Sequence, residues 1–79
     1  MSDYKKALLL TQYLRWDDLI ILMVQTKDQI LSKKIERFLH AYKFEYDYPV
    51  IEKYLIKLLD YIDFADKEIF SIQAITSNN

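Results

Sequence analysis

Thr26-Lys27-Asp28-Gln29-Ile30-Leu31-Ser32-Lys33-Lys34-Ile35-Glu36-Arg37-Phe38-Leu39-His40-Ala41-Tyr42-Lys43 carries the clearest amphipathic pattern of the chain. Leu31, Ile35, Phe38, Leu39 and Tyr42 recur three and four residues apart, so they share one face of an α-helix. Lys33, Lys34 and Arg37 fall largely on the other face. Thr26 followed by Gln29 has the form of a capping box, the hydroxyl accepting from the third helical amide while the glutamine reaches back. Lys43 suits the negative end of the helix dipole. An amphipathic helix over 27–43 needs a facing partner, and residues 49–62 supply one. Ile51, Tyr54, Leu55, Leu58, Leu59 and Ile62 form a second seam at helical spacing. Pro49 opens this helix, Tyr48 before it is held extended, and Asp47 or Tyr48 stands at its cap.

Working outward, Ser2 or Asp3 caps a first helix that runs to Arg15, with Tyr4, Ala7, Leu8, Thr11 and Leu14 at helical spacing. Leu9, Leu10 and Tyr13 widen its apolar surface beyond one stripe. Asp17 or Asp18 caps a second helix containing Leu19 to Val24. That apolar run suits a buried helical turn or a short buried strand, and helix is preferred because no partner strand is evident. Phe44-Glu45-Tyr46-Asp47-Tyr48 alternates aromatics with charges, the period of an extended chain. Asp63 caps a last helix over about 64–75, with Ala65, Ile69, Phe70 and Ile72 inward.

Composition agrees with this all-α reading. The chain has no glycine, no cysteine and one proline. Glycine supplies the positive-φ positions of hairpins and phosphate-cradling loops, so its absence argues against hairpin-rich β folds and glycine-rich nucleotide loops. At 79 residues the expectation is one domain, residues 1–79, folded as a bundle of four to five short helices. Its core is thin, and no disulfide reinforces it. The N-terminus has no convincing small-residue cleavage site, and the longest apolar run, Leu19–Val24, is far shorter than the ~20 residues of a membrane span. The expectation is a soluble, cytoplasmic protein with no membrane partner.

Charge is unevenly spread although its sum is −1. Lys27, Lys33, Lys34, Arg37 and Lys43 outnumber Asp28 and Glu36, whereas the region 44–70 is acidic. The simplest reading sets a basic helix beside an acidic one that partly neutralises it.

Little here suggests catalysis. His40 is the lone histidine and cysteine is absent, so a zinc site lacks ligands. Asp60, Asp63 and Asp66 recur every third residue, but without the glycine and alternating oxygens of a calcium loop. The expectation is no enzymatic activity, no metal and no cofactor.

Binding is the better reading. Trp16, Phe44, Glu45, Tyr46, Asp47 and Tyr48 are the candidate contacts to a protein partner, because tyrosine and tryptophan serve as rigid amphipathic anchors and flanking carboxylates steer a basic partner. Surplus apolar surface at Leu8–Leu10 and Leu19–Val24 points to a homodimer. The leading expectation is a small accessory protein, an inhibitor or regulator of immunity or phage type. Tyr46-Asp47-Tyr48-Pro49 on its acidic background resembles the tyrosine–tyrosine–proline element of nuclease-colicin immunity proteins, interrupted by Asp47. In that family the element and nearby acids bind the toxin. The small helical immunity proteins of pediocin-type bacteriocins are similar in size and helix content. Neither resemblance assigns a role to a residue of this chain. The alternative expectation is a nucleic-acid-binding regulator using Lys27, Lys33, Lys34 and Arg37 on phosphates.

Overall fold

The computed structural model describes the backbone of residues 1–77 and the side chains of residues 1–67. Helices α1 (Asp3–Gln12), α2 (Trp16–Gln25), α3 (Gln29–His40) and α4 (Tyr48–Ser77) follow one another, with a π-helical turn at Ala41–Glu45 between the last two. Among the described residues there is no strand. α1 and α3 each pack against both α2 and α4, so the helices enclose one core in up-down-up-down order. Leu19, Leu31, Ile35 and Leu58 are fully buried at its centre, joined by Ala7, Leu22, Phe38, Leu39 and Ile62. The all-α bundle expected from the sequence is the observed fold, and Leu19–Val24 is helix.

The cap of α3 differs from the expectation. Asp28, not Thr26, stands at its N-terminus, and Asp28 Oδ1 accepts the amides of Ile30 at 2.9 Å and Leu31 at 3.1 Å. Thr26 ends α2 instead. Its hydroxyl donates to Asp3 Oδ2 at 2.8 Å and accepts the Asp28 amide at 3.2 Å. The carboxylate wins because its two charged oxygens accept four donors at once, more than the single Thr26 hydroxyl oxygen can take.

Those further donors come from two other helices. The hydroxyls of Tyr4 on α1 and Tyr61 on α4 both donate to Asp28 Oδ2, each at 2.6 Å. One carboxylate therefore ties α1, α3 and α4 together at one end of the bundle. Burial pushes the Asp28 carboxyl upward, but the two phenols and the amides of Leu31 and Ile30 outweigh it and hold the group below its usual range. The same bonds act on the tyrosines in the opposite sense. The hydrogen bond to Asp28, then burial, raises Tyr4, while burial, then the bond to Asp28, raises Tyr61 well above the ordinary phenol. Ser2 completes this end by capping α1 and donating to Asp66 of α4 at 3.3 Å.

Three more expectations are corrected. Arg15 precedes α2 without a side-chain cap, and Asp17 and Asp18 lie inside its first turn, where carboxylates face the positive end of the helix dipole. Residues 43–48 are not extended: the chain winds through the π turn, passes Tyr46 in a left-handed conformation and enters α4 at Tyr48. The alternating pattern has no strand to pair with, and Glu45 is drawn back onto α3 by Arg37 and His40. Asp47 supplies the carbonyl that accepts the Ile51 amide at 2.9 Å, so it holds the cap position. Pro49 then sits in the first turn, where its missing donor has no partner to lose.

Finally, Asp63 caps nothing. It lies exposed within the single helix α4 and pairs with Lys67 at 3.1 Å. α4 has 30 residues against 10–12 in the others, which gives the molecule a long axis of 50 Å. The inward placement expected for Ile69, Phe70 and Ile72 lies outside the described side chains.

The shared carboxylate sets a testable stability profile. Asp28→Ala should lower the unfolding free energy by about 3 kcal/mol, because it removes a cap and leaves two phenols without their acceptor. The raised tyrosines contribute stability that is intact below about pH 10 and is lost as pH rises toward their folded values. The lowered Asp28 contributes stability that is lost as pH falls through its folded value. Urea titrations of the wild type across pH should therefore show an alkaline decline that Tyr61→Phe diminishes; an unchanged decline would contradict the assignment.

Candidate functional site

The opposite end of the bundle is built differently. A helix that closes with a left-handed residue normally spends a glycine there, and this chain has none. At the end of α1 the Arg15 amide bonds the Leu10 carbonyl at 2.8 Å and the Leu14 amide bonds the Thr11 carbonyl at 3.2 Å. This is the Schellman closure, with Leu14 at φ 57° in the glycine position. The second left-handed residue is Tyr46, at φ 54° after the π turn. Holding a residue with a Cβ in this region costs about 1–2 kcal/mol each. Neither side chain recovers that cost by burial, since Leu14 is 67% and Tyr46 81% exposed.

Both strained residues line the same groove. Trp16 opens α2 and packs edge-on to Phe38 at 5.7 Å between ring centres and on Tyr42 at 5.1 Å. Tyr48, Ile51, Glu52 and Leu55 face this cluster from the first turns of α4, and Thr11 and Leu14 from the end of α1. Together with Tyr46 these residues enclose an open groove of ≈ 800 Å³. Its floor is aromatic and aliphatic. Glu52 is its one carboxylic side chain, and no lysine or arginine lines it. A shallower depression of ≈ 350 Å³ adjoins at Leu14 and Trp16 and carries Asp17, Asp18 and Arg15, the last two paired at 2.6 Å.

The candidate protein-binding residues divide. Trp16, Tyr46 and Tyr48 converge on the groove although they are far apart in sequence. Tyr46 and Tyr48 are exposed, so these tyrosines are not folded down over the core. Glu45 is not free to steer a partner: it accepts from the Arg37 guanidinium at 2.6 Å and lies 3.2 Å from His40 Nδ1. The Arg37 bond outweighs the opposing effect of burial and, with a lesser contribution from the His40 bond, holds the Glu45 carboxyl below its usual range. Phe44 lies outside the groove lining, stacked 5.3 Å from His40, and Asp47 is exposed at the start of α4.

The basic candidates are also partly committed. Lys27 and Lys33 are exposed, Lys34 lies 5.9 Å from the Tyr61 ring, and Arg37 stacks 4.0 Å over Tyr54. Lys53 and Lys57 approach the same Tyr54 ring at 5.4 and 5.5 Å. Among the described residues no ion pair joins α3 to α4 themselves; the basic segment meets the acidic region at Glu45, which pairs with Arg37 and lies beside His40. Lys34 and Arg37 also lie over the tyrosine faces of Tyr61 and Tyr54 on α4. Among the described residues no group of three or more histidine, cysteine or acidic side chains is placed to hold a metal, and no helix is long and apolar enough to cross a membrane.

Sequence reasoning missed the remaining lining residues, Leu14, Tyr42 and Glu52 as well as Thr11, Phe38, Ile51 and Leu55. Leu14 and Tyr42 sat on apolar seams and read as core. Tyr42 is in fact 42% exposed. The usable signal was the helix end at 13–15 in a chain with no glycine to close it.

Fold and groove together define a small all-α four-helix bundle with an aromatic cleft at one end. The chain belongs to the family described as YhdB-like protein, which matches residues 1–69. It is similar to the protein named "Uncharacterized protein YhdB" from Bacillus subtilis (strain 168), at 56% identity over 72 residues that cover 91% of this chain and 90% of that one. No solved structure matches it.

The strain at Leu14 separates architecture from use. Leu14→Gly should raise the unfolding free energy by about 0.5–1 kcal/mol in urea titration, because it relieves the left-handed penalty at an exposed side chain. A loss of stability greater than that would place the Leu14 side chain among the core groups.

Proposed function

We propose that this chain is a small non-enzymatic accessory protein that acts by binding another protein through the aromatic groove, as an inhibitor or regulator. The observation that carries the reading is the gathering of Trp16, Phe38, Tyr42, Tyr46 and Tyr48 around one open cleft, with two residues of that cleft in costly backbone conformations. Strain that folding does not recover is concentrated where a surface is put to use. Aromatic side chains that border a concavity, retain hydroxyl groups and lose little entropy on contact are the usual energetic centres of protein interfaces. The immunity-type role implied by the likeness at Tyr46–Pro49 is one form of this activity. A nucleic-acid-binding reading ranks second, supported by Arg37, Lys53 and Lys57 gathered on Tyr54.

Photo-crosslinking in the native host distinguishes them. A benzophenone side chain at position 46 should yield one defined protein adduct that survives nuclease and disappears with Tyr48→Ala. The same group at position 24, exposed at the far end of α2, should yield none. Adducts from position 24 alone, or adducts lost on nuclease treatment, would contradict the groove reading.

A further inference from the structure

Resting on the groove reading above, we propose that the occupant is an extended proline-rich segment in the polyproline II conformation, flanked by a basic residue. Hydrogen-bond accounting favours this over a helix. A docked helix has already satisfied its own carbonyls, whereas a polyproline II chain has no internal hydrogen bonds and must find donors outside itself. The groove offers them. Tyr4 and Tyr61 spend their hydroxyls on Asp28, but among the described residues the hydroxyls of Tyr42, Tyr46 and Tyr48 and the Trp16 indole N–H bond to no protein group.

Shape and charge agree. Proline rings dock flat between aromatic faces, and the segment is already stiff, so little conformational entropy is lost on binding. Glu52 lies in the groove and Asp17 in the adjoining depression, while Arg15 is taken up by Asp18, so a cation on the occupant finds a carboxylate in the groove or beside it. Among these 79 residues the one proline, Pro49, lies inside α4, so they supply no such segment, and the occupant is taken to be a second protein.

Trp16 is the single tryptophan and reports on the groove directly. The probes are an acetylated peptide of eight prolines ending in arginine, the same peptide ending in glutamine, and a leucine–lysine amphipathic helical peptide. The proline–arginine peptide should give a saturable change in Trp16 emission. Tyr48→Ala should weaken it by about tenfold or more, and Tyr48→Phe, which keeps the ring and loses only the donor, by a smaller but measurable factor. Glu52→Gln combined with Asp17→Asn should erase the preference for arginine over glutamine, with circular dichroism confirming that each variant is folded. No saturable change with either proline peptide into the millimolar range overturns the proposal. Tighter binding of the helical peptide also overturns it, while leaving the groove as a protein-binding site. Conversion of a dimer to a monomer by Tyr48→Ala in sedimentation would overturn it by making a second copy the occupant. Loss of the position-46 adduct together with silence of all three peptides would remove the groove reading itself.

Discussion

The Asp28 carboxylate is the point on which the bundle's geometry turns. Two amides of α3 and two phenols, from α1 and α4, converge on its oxygens. A half-buried charge is costly unless it is fully hydrogen-bonded, and here the donors come from three helices at once, so satisfying the charge fixes their relative positions. Thr26 extends the same network to α2 through Asp3. One end is thus clamped by directional bonds between helices, whereas at the other end the contacts between helices are mainly aromatic and aliphatic, with Glu45 held by Arg37 and His40.

That other end is shaped by an absence. A chain with no glycine must still turn corners after α1 and after the π turn, and it does so with Leu14 and Tyr46 in left-handed backbone. Both turns deliver a large side chain into solvent at the lip of the groove, where a glycine would have delivered nothing. Trp16, Phe38 and Tyr42 stack beneath them, and Tyr48 closes the far wall. The molecule thus divides into a polar end that holds it together and an aromatic end with surface to offer. Membership of the YhdB-like family extends over residues 1–69, which include both ends.

Much of the fold was legible because helical periodicity in a small bundle reports burial directly. Leu31, Ile35, Phe38 and Leu39 on α3, and Leu58 and Ile62 on α4, lie in the core as their spacing required. Errors fell where short-range signals compete. Thr26 and Asp28 both satisfy a capping rule, and only the arrival of Tyr4 and Tyr61 decides between them. Phe44 to Tyr48 alternates like a strand, yet Arg37 and His40, several residues upstream, pull Glu45 into a widened turn. Asp63 looks like a cap, but nothing before it stops a helix, and α4 continues through it. The site was half legible. Trp16, Tyr46 and Tyr48 stood out by residue type, but their convergence depends on the antiparallel path, which no local pattern encodes.

Tyr46 and Tyr48 stand outside the core, so they contribute little to folding. Guanidinium unfolding of the free protein carrying Tyr46→Ala and Tyr48→Ala together tests this most directly. With these side chains 81% and 78% exposed, the account expects an unfolding free energy within about 1 kcal/mol of the wild type. A loss of about 3 kcal/mol or more, the scale of deleting buried aromatics, would return them to the core and contradict the account.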